Sequence, residues 1–226
     1  MKVTYYGHAC FSVVVGGKTL LFDPFFTGNP FAKAVDVKSV PADYILVSHG
    51  HSDHVGDAVE IAKCTGATVI SNPEVSHWLK KQGASKIHPM NHGGGFNFDF
   101  GRVKYVNAIH SSATPDGAYG GNPGGFVVES ADGNFYFSGD TALTFDLKLI
   151  GESTKLKFAA LCIGDNFTMG VDDAIRAAEF IKCDEILGVH YDTFPPIKIN
   201  HAVAQEKFHA AGKRLHLLNP GESRDF

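Results

Sequence analysis

Cysteine is scarce and scattered: Cys10, Cys64, Cys162 and Cys183 are the only four in 226 residues, and no two form a Cys-X-X-Cys pair. That spacing excludes a zinc ribbon, a thioredoxin-like motif and a dense disulfide framework. Each cysteine reads as a small buried hydrophobe. No apolar run approaches the roughly 18 residues of a membrane span. Met1-Lys2-Val3 leads straight into a strand without a signal peptide. The expectation is a cytoplasmic protein with no membrane partner. Basic runs are missing as well, and the formal net charge is −4, which speaks against a dedicated nucleic-acid binder. There is no internal repeat, no low-complexity segment and no Ser-His-Asp arrangement. An apolar fraction of 44% is enough for a full core. One large α/β domain over 1–226 fits this length, since such folds run past the usual ~150 residues.

Against this plain background stands His49-Gly50-His51-Ser52-Asp53-His54, four potential metal ligands in six residues. Residues 44–48, apolar and partly β-branched, read as a buried strand ahead of it. Residues 55–63 have helical spacing behind it, with Gly66 placed as the stop. In an extended loop, residues two apart point the same way, so His49 and His51 are placed to share one ion. Asp53 and His54 follow a turn and are placed to face a second. Imidazole and carboxylate suit zinc, manganese or iron. A solvated histidine cluster is the bland alternative, and the position directly behind a buried strand argues against it.

The chain around the motif alternates strands with polar turns. Residues 3–6 and 12–15 are strands, Gly16-Gly17 is a two-residue hairpin turn, and 19–22 returns to Asp23-Pro24, where proline ends a central ladder. His8 and Asp23 border this meander; by themselves they read as a core histidine and a turn former. Residues 27–40 lack a period, and Phe25, Phe26 and Phe31 suit either an apolar wall or packing beneath the loop. Further strands are expected at 68–70, 86–90, 96–100, 104–109, 126–129, 134–138, 158–163, 185–189 and 215–218. Helices are expected at 73–82 with proline in the first turn and Gly83 as the stop, from about Asp172 to Lys182, and after an Asn200 cap up to Gly212. Residues 111–125 carry five glycines and no helix behind them, which excludes a phosphate-binding loop. Their length suits a substrate-facing flap or a plain mobile loop. His77 and Trp78 read as packing or surface residues, His201, His209 and His216 lack ligand spacing and read as structural, and a ligand role for His92 stays open. Three of the strands run into His110, Asp140 and His190. A carboxylate such as Asp140 has two oxygens with which to bridge two ions.

The six-residue motif resembles the signature of the metallo-β-lactamase superfamily. Gly7-His8-Ala9 and Asp23-Pro24 narrow the likeness to a subgroup with ascorbate-6-phosphate lactonases, N-acylphosphatidylethanolamine phospholipases D and small metal-dependent hydrolases. Gly164-Asp165-Asn166-Phe167-Thr168-Met169-Gly170 is similar to a stretch of the last of these. The resemblance covers nearly the whole chain. It implies an α/β fold, a four-layer αβ/βα sandwich of two mixed β-sheets, with ligands delivered at the same ends of several strands. Carried over by position, His49, His51 and His110 would form one site. Asp53, His54 and His190 would form the other, with Asp140 bridging. His8, Asp23 and Asp165 would border them, and Asp53 and Asp140 would also act in catalysis. The implied cofactors are two divalent ions, zinc foremost, with manganese, iron or nickel as alternatives. A hydroxide held between ions about 3.5–4 Å apart would attack an ester, lactone or phosphodiester of a small molecule.

Other classes fit less well. A true β-lactamase is usually exported, and Asp140 matches the bridging carboxylate of the esterase and phosphodiesterase branches instead. An RNA-processing nuclease of the superfamily usually carries an exosite or further domains. A flavodiiron-type oxidoreductase usually has glutamate where His51 stands. A non-catalytic metal or small-molecule binding module in the same fold is the remaining alternative. The substrate rim is expected from the glycine-rich loop, the 25–31 region and 191–198, with Lys198 either meeting an anionic group or simply solvated.

Overall fold

Leu20 and Phe22 enter one hydrophobic core, and Leu21, between them, enters another. Leu46 and Ile70 divide from Ile45 and Val69 in the same way. Side chains alternate along a strand, so a strand apolar on both sides must be covered on both. That requirement produces the layers.

The computed structural model describes residues 1–226. One sheet contains Lys2–Gly7 (β1), Cys10–Val15 (β2), Lys18–Phe22 (β3), Tyr44–Leu46 (β4), Thr68–Ser71 (β5) and Lys86–Pro89 (β6). The other contains Gly95–Phe98 (β7), Gly101–Asn107 (β8), Gly124–Glu129 (β9), Phe135–Phe137 (β10), Phe158–Cys162 (β11), Glu185–Val189 (β12) and Arg214–His216 (β13). Ser223–Asp225 (β14) returns to the first sheet, whose order is β14-β1-β2-β3-β4-β5-β6; the second runs β13-β12-β11-β10-β9-β8-β7. In each sheet an antiparallel meander passes into four parallel strands: β3 to β6 in the first, β10 to β13 in the second.

Between the sheets lies an aromatic core. Phe22 stacks on Phe11 at 4.6 Å and meets Phe126, Phe135 and Phe137 edge-on, all fully buried. Each such ring contributes ~1.5–3 kcal/mol of hydrophobic stabilisation. Helices Ala58–Thr65 (α2) and Pro73–Gln82 (α3) cover the first sheet, following the short Ser52–Val55 (α1). Leu147–Ser153 (α4), Val171–Phe180 (α5) and His201–Ala210 (α6) supply buried side chains to the outer side of the second. The result is the four-layer αβ/βα sandwich. No helix is long and apolar enough to cross a membrane.

Several boundaries differ from the sequence reading. The helix expected at 55–63 is two pieces, because Asp57 turns its carboxylate to the N–H groups of Phe26 and Thr27 and to the Thr27 hydroxyl at 2.6–2.9 Å. It ends at Gly66 as expected, with φ 72°. The strand expected to reach residue 109 stops at Asn107. Neither α4 nor β14 has a strong periodic signal. Cys64 corrects the reading of the cysteines: it is exposed near the end of α2, whereas the other three are buried. His92 has no ligand role here; its Nε2–H donates to the Pro123 carbonyl at 2.9 Å and its ring stacks on Tyr105.

Candidate metal centre

The strand ends place the candidate residues together. β4 runs into Ser48 and His49, and the chain then turns at Gly50, where a Cβ would sit 3.0 Å from the Ala113 carbonyl. His51 holds the N-cap position of α1, and that helix's first turn presents Asp53 and His54. Asp140 arrives through Gly139, whose φ of 57° suits glycine and whose Cβ would lie 2.7 Å from the Gly124 carbonyl. His190 follows β12 directly; His110 comes three residues beyond β8. His8, Asp23 and His190 take left-handed backbone conformations at φ 59°, 40° and 57°.

The ligand atoms of His49, His51 and His110 lie within 4.8 Å of one another, as do those of His8, Asp53, His54 and His190. Asp140 joins the two groups. Its Oδ2 is 3.6 Å from His110 Nε2, 3.3 Å from His54 Nε2 and 3.0 Å from His190 Nε2. His49 and His54 are fully buried and Asp140 nearly so, while the Asp53 side chain keeps 26% of its surface open.

Asp23 orients one histidine of each group. Its Oδ2 accepts from His54 Nδ1–H at 2.7 Å and from the Ser48 hydroxyl at 2.6 Å, and its Oδ1 accepts from the Ser48 N–H at 2.7 Å. With its proton given to Asp23, the Ser48 hydroxyl accepts from His49 Nδ1–H at 2.9 Å. Both rings therefore carry the proton on Nδ1 and turn Nε2 inward, the arrangement metal-ligating histidines need. His8 does the corresponding work for Asp53. Its Nε2 is 3.0 Å from Asp53 Oδ2, and its Nδ1 is 3.0 Å from Thr193 Oγ1.

Charge follows from burial and neighbours. Burial pushes the His49, His51 and His110 pKa values down, keeping these imidazoles neutral and their lone pairs free. Burial also lowers His8, to about 4. For Asp140, burial opposes ionisation, but His190 and His54 outweigh it and hold the carboxyl well below its ordinary range. Asp53 is lowered in the same way by His54 and His8. Burial pushes Asp23 upward against the pull of His54 and Ser48. His54 is the exception among the rings: burial disfavours its charge, yet Asp140, Asp53 and Asp23 together raise its pKa well above the usual value. The cluster thus carries an excess of negative charge that attracts a cation.

The residues fit metal ions. Of four buried polar side-chain atoms with no hydrogen-bond partner, three are here: His54 Nε2, Asp140 Oδ1 and His190 Nδ1. Such atoms cost ~1–3 kcal/mol each if left unpaired. An ion bound by the cluster would complete contacts at His54 Nε2 and Asp140 Oδ1, whereas His190 meets Asp140 through its other ring nitrogen, Nε2. Neutral imidazoles and ionised carboxylates are a donor set for zinc, manganese, iron or nickel.

Some expectations fail. Asp165 does not border the centre; it is exposed, its Oδ1 accepts the Asn166 N–H at 2.7 Å, and it opens on a separate cleft with Lys198 and Lys207. The cause is local: φ values of 61° at Asp165 and 55° at Asn166 turn the chain so that Phe167 faces the metal cleft instead. Lys198 is likewise away from the centre. Phe25 is buried edge-on to His8 at 5.6 Å, Phe26 packs on Tyr6, and Phe31 lies beside Tyr5 and Tyr191; none lines the metal cleft. The glycine-rich loop is tied down rather than free. Ser112 receives the Gly50 N–H, Asn72 donates to the carbonyls of Gly120 and Asn122, and Trp78 donates to Asp116. Only Ser111 of that loop lines the cleft. Sequence reasoning passed over Ser48 and Phe167, and it named Thr193 and Phe194 only as part of the 191–198 rim. For Ser48 a signal existed, a small hydroxyl residue directly before the first ligand.

A sandwich of two mixed sheets with this donor set at one edge is the architecture of a metallo-hydrolase. The family model for the beta-lactamase superfamily domain matches residues 18–191. A UPF0173 metal-dependent hydrolase of Flavobacterium johnsoniae is 58% identical over 223 residues, covering 99% of each chain. One from Thermus thermophilus is 44% identical over 222 residues, covering 98% of this chain and 97% of its own. The solved structure of Igni18, a metallo hydrolase from the archaeon Ignicoccus hospitalis, superposes with a TM-score of 0.89 at 33% identity, covering 100% of this chain and 98% of its own. The chain belongs to the UPF0173 metal-dependent hydrolases of the metallo-β-lactamase superfamily.

Proposed function

We propose that the centre holds two divalent ions, zinc foremost, and that the protein hydrolyses an ester, lactone or phosphodiester of a small molecule. The observation that carries this reading is Asp140 Oδ2, within 3.0–3.6 Å of His110 from one ligand group and of His54 and His190 from the other. His49, His51 and His110 would hold one ion, Asp53, His54 and His190 the second, and Asp140 both. When bound, such a pair supplies hydroxide near neutral pH and polarises the scissile bond. The chain's own residues do the remainder. Asp23, directly and through Ser48, keeps His54 and His49 in the ligating tautomer. His8 fixes Asp53, the ligand most open to solvent. Water adds across the scissile bond, giving an acid and an alcohol.

A cleft of about 290 Å³ over the ligands is at the small end of ligand sites and supports a small-molecule substrate. The test is turnover of a panel of carboxylic esters, lactones and phosphodiesters by zinc-loaded protein and by Asp53→Ala at equal metal content. Wild-type turnover lost in Asp53→Ala is the expected result. Ligand affinity without turnover, indifferent to Asp53, would establish a binding module instead, and efficient cleavage of a β-lactam would overturn the assignment to the esterase and phosphodiesterase branches.

A further inference from the structure

The walls of the metal cleft say which part of a substrate would rest there. Besides five ligand residues, the cleft is lined by Ser111, Phe167 and Phe194 alone. No lysine or arginine reaches it, although the chain has 20. Lys198, the basic residue of the adjoining loop, opens with Lys207 on a different cleft. A substrate with an anionic group remote from the scissile bond would find no cation among the lining side chains, and it would lie near the carboxylate of Asp53.

The Phe194 ring and the backbone that carries Phe167 are held in place. Phe194 packs edge-on against His8 at 5.5 Å and lies 6.5 Å from Phe25. Its extended backbone, φ −124° and ψ 152°, is the conformation that the following Pro195 enforces. Phe167 is 55% exposed at the cleft. The two left-handed residues before it form a tight turn, closed by Asp165 N–H on the Met169 carbonyl at 3.1 Å and by the Asp165 side chain on Asn166. A single exposed aromatic is ordinary on a protein surface. One fixed on a stiff turn at the rim of a reaction centre, with a second aromatic in the same small cleft, is a wall awaiting an apolar group.

We propose, on the hydrolase reading above, that the non-reacting part of the substrate is uncharged and apolar, the size of one aromatic ring or a short branched chain, and that Phe167 and Phe194 select it. Aryl and short alkyl esters, or phosphodiesters with such substituents, are then the substrate class, and phosphorylated lactones are disfavoured.

Two measurements on zinc-loaded protein test this. The first is calorimetric binding of benzohydroxamate against succinohydroxamate, which share a metal-binding head and differ in an aromatic or an anionic tail. The second is kcat/KM for 4-nitrophenyl butyrate against mono-4-nitrophenyl succinate. The neutral member of each pair should be preferred by about tenfold or more, the scale of apolar pocket discrimination. Phe167→Ala should narrow that gap, mainly through KM and Kd. Because Phe167 is exposed, this variant keeps the fold; Phe194→Leu gives a second reading from the half-buried side. Equal or stronger binding of the anionic hydroxamate, failure of both to bind, or a preference unmoved in both variants would overturn the proposal. If benzohydroxamate binds in a Phe167-dependent manner while no ester is cleaved, the wall assignment stands and the hydrolytic class is what fails.

Discussion

His8 Nε2 lies 3.0 Å from Asp53 Oδ2, across 45 residues of sequence. The same histidine uses its main-chain carbonyl to accept the His190 N–H at 2.8 Å and the Tyr5 hydroxyl at 3.0 Å. One residue thus braces two candidate ligands of the same group, Asp53 by its side chain and His190 by its backbone. His8→Ala removes the first brace and leaves the second. Its expected effect is a 10–100-fold loss of affinity at the ion held by Asp53, the usual size for removing a ligand's hydrogen-bond partner. Metal content measured after dialysis against a graded chelator should fall from two ions toward one. Undiminished retention of both would show that Asp53 needs no support.

Asp140→Asn keeps the side chain's size and removes the negative charge that faces both ligand groups. Metal analysis of protein purified without chelator should give close to two ions per chain in the wild type and a lower second-ion occupancy in the variant. Full occupancy in Asp140→Asn would refute the bridging role.

Asp23→Ala leaves the Ser48 N–H, the Ser48 hydroxyl and His54 Nδ1 buried without their acceptor. Removing one partner of a buried pair costs ~3–5 kcal/mol. Urea unfolding of the metal-free protein should show that loss. His49 and His54 should also bind metal more weakly, since their tautomers are no longer fixed. A variant as stable as the wild type would mean that water replaces the carboxylate at no cost.

The metal-free protein should lose stability as pH falls from 6.5 toward 4. Buried His8 takes its proton only at about 4 in the folded state, whereas an unfolded histidine takes it near 6.5. In that window the unfolded chain binds more protons, so acid favours unfolding. His8 alone accounts for about 3 kcal/mol, or a Tm drop of about 6–12 °C in a chain of this size. Its contribution is fully lost below its folded pKa. His49, also held neutral by burial, adds to the slope. His54 acts oppositely, its raised pKa contributing stability that fades as pH rises above 6.5. Thermal melts of chelator-treated protein between pH 7.5 and 4.5 measure the balance, and a flat profile down to pH 4.5 would contradict the burial of neutral His8.

Much of this was legible because strands and ligands obey local rules. Residues 44–48 are a short apolar run that the structure keeps as a strand over Tyr44–Leu46, and 73–82 announces both ends with Pro73 and Gly83, which the structure reproduces. The candidate ligands stood out because strands lead toward them: His49 and Asp140 come three residues after β4 and β10, and His190 directly after β12. What escaped the sequence is long-range or depends on one or two backbone angles. Asp165 resembled a pocket residue, but two left-handed residues hand its place to Phe167. The glycines of 111–125 suggested freedom, and Asn72, Gly50 and Trp78, distant in sequence, tie the loop down. The bond from His8 to Asp53 joins a β-turn to a helix that no sequence period relates.

The left-handed backbone at His8, Asp23 and His190 sets stability against chemistry. A non-glycine residue in that conformation costs ~1–3 kcal/mol, and glycine at any of the three would relieve it. At Asp23 that relief is smaller than the ~3–5 kcal/mol lost with its buried carboxylate, so the hydrogen bonds to Ser48 and His54 are what hold the strained backbone in place. Backbone ease is given up at three separate points of the chain, and each time the side chain so aimed arrives beside the same cluster.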